Sequence, residues 1–163
     1  IDHIKAAAQK VKAELDHGHQ VTVVVSAMAG TTNQLVDWTV GMSPMHDARE
    51  YDSVVSAGEQ VSAGLMALAL QDAGVDSRSW LGWQIPIRTD GVHGKARITD
   101  IDIAELEKRM AAGQVPVVAG SQGLRPDHRL TTKGRSGSDP SAAALTALPT
   151  ADRCDIFPTC SGN

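Results

Sequence analysis

Val21-Thr22-Val23-Val24-Val25 is β-branched at every position. A run of this kind lacks the polar alternation of a half-wetted strand and predicts a strand buried on both faces of a parallel sheet. Ser26-Ala27-Met28-Ala29-Gly30-Thr31-Thr32-Asn33 follows it directly. In open α/β sheets, ligands bind where the chain leaves the carboxyl end of a strand. A second run has the same form: Val115-Pro116-Val117-Val118-Ala119, with Gly120-Ser121-Gln122-Gly123 at its end.

Working outward, Ile4, Ala7, Ala8, Val11 and Leu15 recur at helical spacing, so residues 2–16 predict an amphipathic helix, ended by Asp16-His17-Gly18-His19. Leu35, Val36 and Trp38 open another helix, and Met42 to Met45 form a turn. Residues 47–73 are helical, as one helix or as two broken near Gly58, with Val54, Val55, Val61, Leu65, Leu68, Ala69 and Leu70 on the apolar side. Gly58 marks a break or a close approach, and Glu59 beside it is a solvated acid or a ligand contact. Ser77 to Leu81 and Ile85 to Thr89 are extended, the second at an edge or irregular position because of Pro86. Ala96 to Ile98 is a short extended piece, and Asp102 caps a helix to Ala112. Arg153 to Phe157 reads as a last strand, which makes Cys154 a small buried apolar residue. Trp80 and Trp83 read as packing residues. Strands alternating with helices imply a mostly parallel sheet covered on both sides.

Thr131-Thr132-Lys133-Gly134-Arg135-Ser136-Gly137-Ser138-Asp139-Pro140-Ser141 breaks this pattern. Glycines let backbone amides approach a ligand, Ser138 or Asp139 suits a helix N-cap, and Pro140 suits the first turn of a helix to about Leu148. A helix N-terminus beside an arginine and small hydroxyls suits an anion, and a polar loop entering a capped helix is the plainer account.

Composition narrows the class. The chain has 163 residues, 42% hydrophobic and 21% charged, which suits one globular domain with a real core. A net charge of −4 without a basic cluster argues against nucleic acid. No uninterrupted apolar run approaches membrane-spanning length, and the chain opens on a polar helical pattern rather than a signal peptide. Two cysteines, Cys154 and Cys160, suit a reduced, cytoplasmic setting. The six histidines are scattered, so no metal site is expected.

These residues carry a resemblance. Val23 to Asn33 looks like the aspartokinase segment in which serine follows a valine strand. Ser56-Ala57-Gly58-Glu59-Gln60-Val61-Ser62 resembles that family's serine-x-glycine-glutamate helix. Arg88-Thr89-Asp90 with His93-Gly94-Lys95-Ala96 is similar to its threonine-aspartate turn. Val117 to Gly123 and Gly134 to Asp139 resemble its two remaining glycine motifs. The motifs stand in the family's order and match bacterial aspartokinases best.

The resemblance implies an amino-acid-kinase fold, a three-layer αβα sandwich around a mainly parallel sheet. It implies ATP with Mg2+, and transfer of the γ-phosphoryl group to the side-chain carboxylate of L-aspartate, the first step towards lysine, threonine and methionine. A carboxylate needs no general base, so positioning and charge neutralisation carry such a reaction. The implied substrate contacts are Thr32, Glu59 for the α-ammonium, Arg135 for the α-carboxylate, and Ser138. Ser26, Gly120, Gly137 and Asp139 fall on the phosphate side, the glycines through their amides and Asp139 as a partner of Arg135 or a helix cap. A homo-oligomer is also implied.

The resemblance has departures. The family's first strand, with its lysine-phenylalanine-glycine-glycine motif, has no counterpart here, and Pro158-Thr159-Cys160-Ser161-Gly162 lacks two acids of the nucleotide side. Ser121 and Lys133 replace apolar residues, and Ser136 a glycine. Residues 1–163 therefore read as the aspartate-binding part of a catalytic domain, without a regulatory domain. A non-catalytic amino-acid-binding or regulatory module is the alternative. A related kinase acting on acetylglutamate, glutamate or a nucleotide fits the Ser56 helix and Arg135 loop less well.

Overall fold

The computed structural model describes residues 1–134, 137–147 and 151–157. Its elements are α1 (Asp2–Asp16), β1 (Val23–Val25), α2 (Thr31–Met42), α3 (Ala48–Val55), α4 (Ala57–Asp72), β2 (Ser77–Trp80) and β3 (Ile87–Thr89). Then come β4 (Ile98–Ile101), α5 (Ala104–Ala111), β5 (Val115–Ala119), β6 (Gln122–Leu124), β7 (Leu130–Thr132) and α6 (Ser138–Thr146).

Two sheets form. The first has the order β1-β5-β2 and is parallel throughout, and the second has the order β4-β3-β6-β7. In the second, β3 runs parallel to β6 and antiparallel to β4, and β6 and β7 are antiparallel. β5 is central and buried at all five positions. Val115, Val117 and Ala119 pack with Ala8 of α1 and with Ala63, Met66, Ala67 and Leu70 of α4. Val118 points the other way, into a cluster with Trp80, Ile85, Ile87 and Leu106 that Leu145 of α6 also joins. Helices thus cover both faces of the parallel sheet, the layered α/β arrangement expected.

The differences from expectation have physical causes. The strand expected over Val21 to Val25 begins at Val23 and is only partly buried, because β1 lies at the edge of its sheet. Pro116 explains where it begins. Along β5 the Val115 amide donates toward β2 (Asp76 carbonyl, 2.8 Å) and the Gly120 amide toward β1 (Val25 carbonyl, 2.9 Å). Even-numbered positions therefore face β1, and Pro116, which has no N–H, falls where the ladder would need a donor for Val21. A proline is tolerated inside a central strand because one neighbour starts later. Pro86 sits in the turn before β3, so β3 itself is an interior strand.

The helical stretch 47–73 is two helices that meet at Ser56. By length and composition Ala48–Asp72 would suffice to cross a membrane, yet α4 lays its small residues Ala63 and Ala67 against α1 and the sheet. Of the expected apolar side Leu70 is fully buried, whereas Val61 and Leu68 are 49% and 62% exposed. The hairpin β6–β7 departs from the sequence pattern, in which Gly120 to Gly123 and Thr131-Thr132 read as loops. Arg153 to Phe157 is exposed and forms no strand, because it finds no sheet partner among the described residues, and Cys154 is exposed with it. The α6 helix has Gly137 at its N-cap position with no side-chain cap, so Ser138 and Asp139 lie inside its first turn. Asp102 does accept from the Ala104 amide at 3.1 Å, as its expected capping role requires.

Candidate active site

Four segments meet at the carboxyl ends of β1 and β5. The Gly120 amide donates to the Val25 carbonyl, which binds the two strand ends together. A Cβ at Gly120 would stand 2.5 Å from Ser138 Oγ, so α6 starts directly against the end of β5. Ser138 is buried to 7% exposure. On the other side, a Cβ at Gly58 would stand 2.8 Å from the Ala27 Cβ and 3.6 Å from Thr31 Cγ2. The missing side chain lets α4 press onto the segment after β1 and sets Glu59 beside the Ala27 backbone. Gly58 is thus a close approach, while the helix break is two residues earlier, at Ser56. Gly30 takes φ +80° at the start of α2, a conformation open to glycine, and turns the chain so that Thr32 enters the first turn.

Glu59 is the electrostatic centre of this arrangement. It is 9% exposed, and burial pushes its carboxyl up to about 7. Its own amide and that of Ala27 pull the other way, more weakly. Among the described residues no cationic side chain pairs with it. A buried carboxyl of this kind favours an incoming cation that would take over its charge.

The glycines act differently from expectation. The amides of Gly120 and Gly137 are both used inside the fold, Gly120 toward Val25 and Gly137 toward the Gly134 carbonyl at 3.1 Å. Neither is free to hold a phosphate, and their role is close packing: a Cβ at Gly137 would collide with Ser121 Oγ. Ser26 is half-buried just beyond β1, and Asp139 is exposed in the first turn of α6. Arg135 and Ser136 lie outside the described residues, as do Pro158 to Gly162. Lys133 is half-buried, and desolvation holds its ammonium below the usual lysine range. Among the described residues, no group of three or more His, Cys, Asp or Glu side chains is placed to hold a metal ion.

Two features carry more of the site than their sequence suggests. Ser121 adopts φ +61°, and its amide donates to Ser141 Oγ (3.1 Å), its hydroxyl to the Gly134 carbonyl (3.3 Å), while its carbonyl accepts from the Lys133 amide (3.1 Å). This one residue ties the end of β5, the start of α6 and the exit from β7. The second is Asp52 on α3, fully buried. Its carboxylate accepts from Thr132 Oγ1 (2.6 Å), His93 Nδ1 (2.7 Å) and the Gly94 amide (3.2 Å). The motif pattern held His93 and Gly94, but Asp52 is 41 residues away from His93, and no local signal connects them.

Comparison with known proteins agrees with this geometry. Aspartokinase 2 of Bacillus subtilis is 46% identical over 157 residues, covering 96% of this chain and 38% of the relative. The crystal structure of aspartate kinase from Synechocystis superposes with a TM-score of 0.78 at 42% identity, covering 94% of this chain and 25% of that one. Escherichia coli aspartokinase III, in complex with aspartate and ADP, superposes with a TM-score of 0.74 at 22% identity over 93% of this chain and 44% of that one, and so shares the fold. The chain spans about two fifths of the length of the Bacillus relative. Residues 2–162 match the amino acid kinase family, and the chain belongs to it.

Proposed function

We propose that this chain forms the aspartate-binding side of an aspartate kinase catalytic domain, residues 1–163, which transfers a phosphoryl group from ATP to the side-chain carboxylate of L-aspartate. The observation that carries the reading is Glu59: a buried carboxyl, poised near neutrality, with no cationic partner among the described residues. An α-ammonium group would supply the missing charge. Thr32 and Ser138 supply hydroxyls from the segments that flank it, and Arg135 would clamp the α-carboxylate. The phosphate side would be lined by Ser26, by the closely packed Gly120 and Gly137, and by the exposed Asp139. ATP supplies the γ-phosphoryl group and Mg2+ offsets its charge. The chain's own contribution is to fix the attacking carboxylate and screen its charge, which is the main demand of this reaction. The similarity to bacterial aspartokinases supports the same reading, and the proposal extends to a cytoplasmic, homo-oligomeric enzyme.

Calorimetric titration of this chain with L-aspartate tests the proposal, with Glu59→Gln and Arg135→Ala as variants and ATP·Mg2+ titrated separately. Saturable aspartate binding that both variants lose is the expected result. A folded chain that binds no L-aspartate would overturn the assignment. Binding of aspartate by the chain, with no phosphoryl transfer by a longer protein that contains it, would favour a non-catalytic module.

A further inference from the structure

We propose that Asp52 and His93 are positioning residues for the amino-acid pocket, holding the exit of β7 at Thr132 and Gly134, which Ser121 ties to the start of α6 where Ser138 stands. This rests on the functional reading above. Asp52 belongs to none of the segments that surround Glu59's carboxyl. It stands at 0% exposure on α3 and receives donors from two other parts of the fold, the 90–96 turn and β7. A carboxylate buried this deeply persists only when its lone pairs are filled, and here three donors fill them.

The geometry forms a continuous path. Arg125 can only donate, so its approach to His93 Nε2 (3.4 Å) makes that nitrogen the acceptor. The ring proton then sits on Nδ1, facing Asp52 at 2.7 Å. The Gly94 amide binds the same carboxylate oxygen, and the Gly94 carbonyl lies 2.6 Å from where a Gly134 Cβ would stand. Gly134, at φ +76°, therefore rests directly on the turn that Asp52 holds. The other carboxylate oxygen holds Thr132, and the Thr132 carbonyl accepts from the Ala96 amide at 3.2 Å. Beyond that point, among the described residues, the chain is tied by the Lys133 amide to the Ser121 carbonyl, the Ser121 hydroxyl to the Gly134 carbonyl and the Gly137 amide to the Gly134 carbonyl. Freeing Thr132 and Gly94 from Asp52 would loosen the exit of β7 at Thr132 to Gly134 while leaving the core around β5 untouched.

The test pairs L-aspartate titration with amide hydrogen exchange on this chain. Asp52→Asn places an amide NH2 against groups that themselves donate, and Thr132→Val removes one donor. Each should weaken aspartate binding by about 10- to 100-fold and speed exchange at Lys133 and Gly137, with Val117 and Val118 unchanged. Thr132→Ser, which restores the hydroxyl, should recover most of the affinity. Leu70→Ala, a core change at the opposite end of α4 from Glu59, controls for lost stability: it should lower the unfolding midpoint without moving aspartate affinity. Should Asp52→Asn fail to fold, the Thr132→Val and Thr132→Ser pair decides. Wild-type binding with unchanged affinity and exchange in Thr132→Val overturns this inference alone. A folded wild-type chain that binds no L-aspartate overturns the functional reading and this inference with it.

Discussion

Asp52 and Glu59 are seven residues apart, on either side of the joint at Ser56, and both are buried carboxyls. Asp52 is filled by a hydroxyl, an imidazole and an amide. Among the described residues Glu59 has only backbone amides facing it, and desolvation dominates its chemistry. The difference teaches how the same functional group serves two ends. A carboxylate whose acceptor sites are all occupied by the fold stores no unmet demand and serves as a strut. One that the fold buries without a counter-charge costs stability until something else arrives, which marks a binding site.

The sharpest way to break this contrast is to delete each group. Asp52→Ala should strand three donors and cost about 3 kcal/mol or more in urea unfolding; a loss below about 1 kcal/mol would show that the node is not a strut. Glu59→Gln should act in the opposite sense. The folded carboxyl titrates near 7 against 4.5 for the ordinary group, so the folded state binds the extra proton in between. Wild-type stability should therefore fall as pH rises from about 4.5 to 7, and Glu59→Gln should exceed wild type above pH 7 by up to about 3 kcal/mol, with no advantage at pH 4. Equal pH profiles for the two proteins would remove the contrast. A smaller effect sharpens it: L-aspartate binding at pH 6 should release close to one proton as Glu59 ionises against the ammonium, and close to none at pH 8. Calorimetry in two buffers of different ionisation enthalpy measures this. Gly58→Ala should cost about 1–3 kcal/mol, because its new methyl group meets Ala27. The smallest change expected is Ser121→Gly, within about 1 kcal/mol of wild type, since relief of the left-handed backbone offsets the lost hydroxyl contact.

How much of this was legible in the sequence depended on whether a residue's environment was local. β5 reads directly from Val115 to Ala119, because an apolar β-branched run has few other stable uses. The α1 helix reads equally well from its spacing. The β6–β7 hairpin does not, because its buried residues are polar. Thr131 is satisfied by Thr89 Oγ1 at 2.8 Å, and Thr132 by Asp52. Gln122 donates to the Ser56 carbonyl and accepts from the Gly82 amide. Each partner lies 40 or more residues away, so these residues look like loop until the fold assembles. Glu59 could be singled out by motif, but its lack of a cationic partner among the described residues is a fact of packing. Ser121 read as an oddity and proves to be a joint.

Pro116 has a consequence for fidelity. A parallel ladder is periodic, and sliding β1 by two residues towards the start of β5 would keep every side chain on its face while moving Ser26 away from Gly120. In the slipped pairing, a β1 carbonyl would meet the proline nitrogen and find no proton there. That one missing hydrogen makes the native alignment distinguishable from its nearest copy. The phase between the strand ends, on which the pocket depends, is thus set at their far side, well away from any ligand.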